Sequence, residues 1–399
     1  MKRVAIVVQR CHESVVGGAE ALAWQYAQLL STGFDVEVLT STAIDYISWK
    51  NAIEPGVRMR EGISVRAFSV SFERGDYWRK LYLRTIGDAP PGGAPQGAHF
   101  QREGVQEEFI RFQGPHCPDL EIWLRDHGHE YAAVIFCTYL YSTTYFAIRA
   151  VCPRKAILVP TLHDEPPAYF SVFAQRYARY EHRIWLTRAE QRVAARLWGF
   201  DEGDVIGMAV MHAQSTRAET RKRPYLLYCG RIDSGKGCDE LLNAFTRLPS
   251  RLGVSLVLTG VDNMGLPRSP DIEYLGFVDE QRKLALMAGA VGFVLPSRYE
   301  SFSIVTLEAM AQRTPVLVNA RCEVMRDHVD HSGGGFHYAS TDEMVRKMEQ
   351  LCTLTAEERS RIGTAGHDYV LANYRESIIR ERLIDLVERV IANSDDPAN

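Results

Sequence analysis

"GRIDSGKG" at residues 230–237 decides how the chain is read. The spacing Gly230-x-x-x-x-Gly235-Lys236 follows a nucleoside-triphosphate loop up to its last residue. That loop then needs Ser or Thr, whose hydroxyl holds magnesium, and here the next residue is Gly237. Downstream, the apolar runs "SLVLTG" and "GFVLPS" end in Thr259-Gly260 and Pro296-Ser297, not in the acidic residue that completes such a site. A diphosphate held without metal must be met by side-chain cations and backbone N–H groups. Arg231 offers a planar fork and Lys236 a point charge. They flank a loop that leaves a predicted strand and enters a helix near Asp239, the position where open α/β sheets bind ligands. Two ordinary surface cations remain the alternative for this stretch alone.

Outward from this loop, short Val/Ile/Leu runs alternate with helix-period segments, the rhythm of a parallel sheet. Downstream, strands are predicted at 225–229, 254–260, 291–296 and 316–319, with helices at 238–248, 280–288, 304–312, 342–352 and 356–372. Upstream, strands are predicted at 3–9, 35–41, 132–138, 156–162 and 182–187, with a helix at 18–30. Between the two series, "HAQSTRAETRKRP" (212–224) is polar, basic and closed by Pro224, which reads as a solvated linker. The expectation is an α/β chain of two Rossmann-like parallel-sheet domains, 1–211 and 225–374. A last segment, 375–399, contains the amphipathic helix "ESIIRERLIDLVERVIA", whose apolar stripe must be buried. "GDAPPGGAPQGAHFQREG" (87–104) fits neither rhythm and is read as a long loop, a candidate substrate lid.

Composition narrows the partners. The chain has 399 residues, 46% of them hydrophobic and 24% charged, which suits a soluble protein of two cores. A net charge of −4 argues against a nucleic-acid partner. The eight cysteines form no Cys-x-x-Cys pair and read as free thiols in a reducing cytosol. "MKRVAIVVQR" reads as a first buried strand, not a signal peptide, so the expected location is cytoplasmic. "FAQRYARYEHRIW" (173–185) interleaves Arg and Tyr; it is either a solvated helix or a peripheral contact with the inner face of an anionic membrane. The His127/His129 and His328/His331 pairs lack further ligands, and no metal site is expected.

Three more stretches carry candidate chemistry. In "PSRYESFSIVTLEAMAQRTPV" (296–316), Glu300 lies in a loop, Ser301 or Ser303 can cap a helix, and Glu308 lies within it. The two carboxylates stand about 12 Å apart along a helix, too far to share a proton but suited to the two ends of one elongated ligand. Free N–H groups near Ser303, Ile304 and Val305 would favour a phosphate between them. In "VVQRCHESVVGGAEALAWQ", Gly17-Gly18 follow the first strand and permit close backbone approach. A simple tight turn is the alternative. In "VPTLHDEPPAY" (159–169), His163, Asp164 and Glu165 follow a buried strand directly.

Together these stretches resemble the family 4 glycosyltransferases, of GT-B fold, through "GGAE" (17–20), "HD" (163–164), "GRIDSGKG" (230–237), Glu300 and "LEAM" from 307. The resemblance implies two Rossmann-like domains facing each other across a cleft and a retaining, metal-independent sugar transfer from a nucleotide diphosphate. UDP- or GDP-sugar is the implied donor co-substrate, with no permanently bound cofactor. Arg231 and Lys236 would stabilise the leaving diphosphate. Glu308 would hold the ribose, and Glu300 with Phe302, Ser303, Ile304 and Val305 the sugar and phosphate. Phe277 and Val278 would meet the nucleobase, and Gly17 and Gly18 would approach the donor. His163 would sit near the reacting sugar, with Asp164 orienting it or the acceptor. The helix 376–392 would pack back on the N-terminal domain. Ser303 stands where this family frequently has Gly. The acceptor, a small molecule, natural product or lipid-linked glycan, is implied without being named. A nucleotide-sugar epimerase and a non-catalytic nucleotide-sugar binding protein are the alternatives.

Overall fold

The computed structural model describes residues 1–15, 17–87, 89, 93–95, 100, 102–210 and 217–395. The chain separates into two units, Met1–Met208 with Ile379–Asn399, and Ala209–Ile378.

The first unit runs β1 (Arg3–Val7), α1 (Gly18–Leu30), β2 (Asp35–Ser41), β3 (Gly56–Arg60), β4 (Ile63–Phe68), α2 (Asp76–Thr85), α3 (Glu103–Gln113), α4 (Pro118–His127), β5 (Ala133–Cys137), α5 (Ser142–Tyr145), β6 (Ala156–Val159), α6 (Ser171–Tyr177), β7 (His182–Trp185), α7 (Arg188–Trp198) and β8 (Asp204–Val205). Its sheet has the order β3-β4-β2-β1-β5-β6-β7-β8, with only β3 antiparallel to its neighbour. β1 is central: Ile6 pairs with Val38 on one side and Ile135 on the other. All five residues of β5 are buried, as expected of a strand in the middle of a parallel sheet.

The second unit runs β9 (Tyr225–Cys229), α8 (Cys238–Thr246), β10 (Ser255–Thr259), β11 (Ile272–Tyr274), α9 (Glu280–Gly289), β12 (Gly292–Leu295), α10 (Ile304–Ala311), β13 (Val316–Asn319), α11 (Glu323–Ser332), β14 (Gly335–Tyr338), α12 (Thr341–Thr353), α13 (Ala356–Asn373) and the start of α14 (Glu376–Asp395). Its parallel sheet has the order β11-β10-β9-β12-β13-β14.

Both orders contain a topological switch. From β1 the chain builds outward through β2, then returns to the other side of β1 at β5. From β9 it builds through β10, then returns at β12. Loops after the strands that flank a switch diverge and leave a crevice. "GGAE" follows β1; "GRIDSGKG" follows β9, and the Glu300 loop follows β12.

Several expectations change. β3, β8 and β11 escape the sequence pattern because they are short or exposed: Val57 and Met59 of β3 and Tyr274 of β11 are largely open to solvent. The 173–185 stretch is not a solvated helix but a short helix, α6, followed by β7. Phe173, Tyr177, Tyr180 and Trp185 are buried, and Phe173 stacks on Tyr177 at 5.9 Å. The predicted loop 87–104 lies partly outside the described residues, but α3 already begins at Glu103. In the linker, residues 212–216 lie outside the described residues. Its remainder is mostly exposed, as expected, and is tied down by ion pairs: Arg221 with Glu219 and Glu273, and Arg223 with Asp271 at 2.6 Å.

The terminal helix buries its stripe. Ile379, Leu383, Leu386, Val387, Val390 and Ile391 are all at most 4% exposed, each contributing about 1.5–3 kcal/mol of burial. Arg389 of this helix pairs with Asp204 of β8 at 2.8 Å. Among the described residues no helix is long and apolar enough to cross a membrane. All eight cysteines are free.

Candidate functional site

In the second unit the two loops beside the switch meet. β9 is fully buried and ends at Cys229. The chain turns through Gly230 and Arg231, then Asp233 caps a short turn over Ser234–Lys236 by accepting the Lys236 N–H. Gly237 follows with φ 76, a left-handed conformation that favours glycine. A Cβ there would stand 2.8 Å from the Pro296 carbonyl oxygen. The residue that departs from the triphosphate loop therefore lets this loop press against the end of β12. The Lys236 ammonium then reaches Glu300 Oε1 at 2.7 Å. The Arg231 guanidinium is 46% exposed, 3.7 Å from Asp233.

α10 opens beyond Glu300. Ser303 is its N-cap by position, but with φ 60 and ψ 58, and its side chain caps no backbone N–H. This corrects the expected cap: the Ser303 hydroxyl is 2.8 Å from Thr306 Oγ1. The left-handed backbone is the physical reason glycine suits this position. Ile304 and Val305 supply the first-turn N–H groups, which have no acceptor within the helix itself. Phe302 is buried, and its carbonyl lies 3.0 Å from His328 Nε2. His328 also meets Tyr369 Oη at 3.1 Å. Burial lowers its pKa to about 4, so the ring is neutral and donates through one nitrogen.

Glu308 faces the other way along α10. Its carboxylate lies 2.7 Å from Lys283 Nζ, which also pairs with Glu280 at 2.9 Å. Burial raises the Glu308 pKa against the pull of Lys283. For Lys283, burial opposes the charge, but the two carboxylates outweigh it and raise its pKa. Asp279 caps α9, and just before it Phe277 is 69% exposed. The structure thus gathers Arg231, Lys236, Glu300, Phe302, Ser303, Ile304, Val305 and Glu308 on loops and helix starts after β9 and β12. Phe277 and Val278 lie at the entrance to the helix that carries Lys283.

In the first unit, Gly17 is the N-cap of α1. A Cβ on it would run into the Glu20 carboxylate, while one on Gly18 would meet nothing within 4 Å. Glu20 is buried and pairs with Arg10 at 2.6 Å, and it accepts from Gln9 Nε2 at 3.0 Å. Only glycine at position 17 fits beside this pair, and Gly18 leaves the helix start open.

His163 follows β6. The carboxylate nearest its ring is Glu165, 3.7 Å from Nδ1, and Glu165 accepts from the buried Tyr139 hydroxyl at 2.8 Å. Asp164, expected to orient His163 or the acceptor, hydrogen-bonds elsewhere in this structure. Its two oxygens accept from Tyr169 Oη and Arg196 Nη2, each at 2.7 Å. The backbone here is strained: Thr138, after β5, has φ 74, and Thr161, after β6, has φ 52. Each such β-branched residue costs on the order of 1–3 kcal/mol, and such strain collects at functional sites. Glu190, fully buried, holds the loop by accepting the Leu162 N–H at 2.6 Å and the Leu186 N–H at 2.5 Å.

Sequence reasoning missed Lys283 and Glu190, named Glu165 without giving it a role, and weighed His328 only as a metal ligand. Lys283 was signalled by its i,i+3 relation to Glu280 on a predicted helix. Glu165 stood beside His163 in the same motif. The packing of His328 against Phe302 carried no signal, because its helix α11 was not anticipated.

Residues 213–368 match the family of glycosyl transferases group 1. Alpha-D-kanosaminyltransferase of Streptomyces kanamyceticus is 28% identical over 260 residues, 59% of this chain and 61% of that protein. The curated relatives reported are matched over 25% to 61% of their own length. Among solved structures, sucrose-phosphate synthase from Thermosynechococcus elongatus superposes with a TM-score of 0.70 at 17% identity, covering 98% of this chain and 100% of that one. An Anabaena protein in complex with UDP and glucose superposes with a TM-score of 0.68 at 15% identity, covering 98% and 100%. The chain has the GT-B fold, and its residues 213–368 match the model of the glycosyl transferases group 1.

Proposed function

We propose that the protein is a retaining glycosyltransferase that moves a sugar from a UDP- or GDP-sugar to an acceptor, without a metal ion. The observation that carries this reading is the junction of Lys236 with Glu300 beside the switch point, 2.7 Å apart. There a cation, a carboxylate and the start of α10 converge. In this reading Arg231, Lys236 and the N–H groups of Ile304 and Val305 meet the diphosphate. They stabilise the negative charge that grows on it as the glycosidic bond to the leaving phosphate breaks. That donor set supplies the counter-charge a metal would otherwise bring. Glu300 accepts hydrogen bonds from the sugar hydroxyls, and Glu308, steadied by Lys283, accepts from the ribose. Phe277 offers an exposed ring to the base. Gly17 and Gly18 leave room for close approach, and His163 serves the reacting sugar. The Anabaena protein's UDP and glucose support a uridine donor.

Calorimetric titration of UDP, GDP, ADP and TDP, in chelator and then in magnesium, tests the reading. One diphosphate binds in chelator, and Arg231→Ala abolishes that binding. Binding only with magnesium, with ATP or GTP preferred, overturns it.

A further inference from the structure

Residues at both ends of the segment 73–115 converge on one side chain, Trp49. Arg74 lies between two indoles, its guanidinium carbon 5.2 Å from the Trp49 ring and 4.6 Å from the Trp78 ring. Its Nη2 donates to the Gln113 carbonyl, which also accepts from Trp49 Nε1 at 2.7 Å. Gln113 Oε1 accepts from Trp78 Nε1 at 2.8 Å. Gly114, with φ 70, leaves no room for a Cβ against Trp49. The residues at 74 and 113–114 therefore clasp the same ring.

What the clasp lacks is an anion. Among the described residues Arg74 has no ion pair, and its Nε is buried with no acceptor. Asp45 acts on it electrostatically, but its oxygens are taken by the turn that follows: Ile47 N at 3.1 Å, and Ser48 N and Oγ at 2.6 Å. Burial lowers the Arg74 pKa to about 10, which still leaves it charged at neutral pH. Arg74 is half-buried, and a cation partly withdrawn from water without a carboxylate is costly, of which indole faces offset only part. Tyr141 packs edge-on against Trp49 at 5.4 Å, and no described residue hydrogen-bonds its hydroxyl. Tyr141 follows β5, and its environment includes Arg10, Glu20 and Glu165, so this cluster sits at the same sheet edge as Gly17 and His163. Buried polar atoms without partners collect there too: Gln9 Oε1, Thr138 Oγ1 and His163 Nδ1, after the neighbouring strands β1, β5 and β6.

From this arrangement we infer that the first unit carries an oxyanion subsite at Arg74, roofed by Trp49 and Trp78 with the Tyr141 hydroxyl beside it, which takes a phosphate or carboxylate group of the acceptor. The assignment to an acceptor rests on the glycosyltransferase reading; the oxyanion site itself does not.

The test titrates inorganic phosphate, and separately acetate, into the full chain at ionic strength fixed with chloride. Tryptophan fluorescence is the readout, since two indoles flank the cation. A saturable change with a Kd on the order of 1 mM is expected, lost by about tenfold or more in Arg74→Gln and kept in Arg231→Gln. Tighter phosphate binding assigns a phosphorylated acceptor, tighter acetate binding an acidic one. In the unaltered protein, the preferred ion slows phenylglyoxal labelling of Arg74, mapped by mass spectrometry. This arm holds even if Arg74→Gln does not fold. UDP affinity, measured alongside, is unchanged in Arg74→Gln. If neither ion displaces chloride, or if both protect Arg74 no better than chloride does, the inference is overturned. If phosphate binds at Arg74 while UDP binds nowhere, the oxyanion site stands and the donor reading falls.

Discussion

The Lys236 ammonium and the Glu300 carboxylate stand 2.7 Å apart although 64 residues separate them in the chain. The contact joins the loop after β9 to the loop after β12, so each side chain fixes where the other points. It also gives them separable roles. In the proposed function Lys236→Met removes a charge that faces the diphosphate, and it is expected to weaken UDP binding and to lower donor turnover about 100-fold. Glu300→Gln releases Lys236, so UDP affinity stays within about threefold or improves, while turnover falls because in the proposed function the sugar hydroxyls lose a charged acceptor. Calorimetry with UDP alone, beside a UDP-release assay, separates the two. Equal loss of UDP affinity in both variants would contradict this division.

Gly237 is a structural requirement of the loop. Gly237→Ser restores the letter of a triphosphate motif but forces a side chain into a left-handed position against the Pro296 carbonyl. The expected result is a loss of about 1–3 kcal/mol in stability, read from urea denaturation, and no magnesium-dependent hydrolysis of ATP or GTP. A gain of hydrolysis would sink this account.

His328 makes the stability of the second unit depend on pH. Its folded pKa is lowered to about 4 by burial, whereas the unfolded chain takes up that proton near pH 6.5. Between these values the unfolded state holds more protons. Stability is full above about pH 6.5 and falls as pH drops toward 4, by on the order of 3 kcal/mol. His116 in the first unit, also lowered to about 4, first by burial and then by Arg111, acts with the same sign. Comparing His328→Gln with the unaltered protein in denaturation series at pH 7, 6, 5 and 4 isolates the His328 share. Parallel curves would exclude it.

His163 and Asp164 are adjacent but not equivalent. His163→Ala is expected to cut turnover by about 100-fold or more while UDP affinity holds. Asp164→Asn breaks a pair with Arg196, which is 45% exposed, and costs about 1 kcal/mol of stability or less, with a much smaller effect on turnover. Steady-state kinetics of the two variants decide it; a larger loss for Asp164→Asn would return that carboxylate to the chemistry.

Leu383 is fully buried on α14. Leu383→Ala should destabilise the protein by about 2–5 kcal/mol, seen as a lower denaturation midpoint with UDP affinity unchanged under native conditions. A loss under 1 kcal/mol would mean that the stripe is not part of the core.

The sequence by itself determined the α/β class, the repetition of the parallel-sheet rhythm, and the strand ends from which the proposed site is built. These are local properties: apolar runs of strand length, glycine at turns, and polar residues just past a buried strand. Glu300, Lys236 and His163 were legible because each follows such a strand directly. Tertiary structure decided which residues face one another. Which carboxylate approaches His163 depends on where Tyr169, Arg196 and Tyr139 come to rest, and these lie on separate elements. The partnership of Lys283 with Glu308 and the seat of Phe302 on His328 join helices far apart in the chain. The aromatic stretch 173–185 has the composition of a surface helix, yet its rings fill the core, because periodicity over one helical turn and a short strand does not define a face. Arg74 shows the limit most plainly. One more cation in a polar segment of sequence becomes a half-buried charge without a carboxylate only when Trp49, Trp78 and Gln113 close around it.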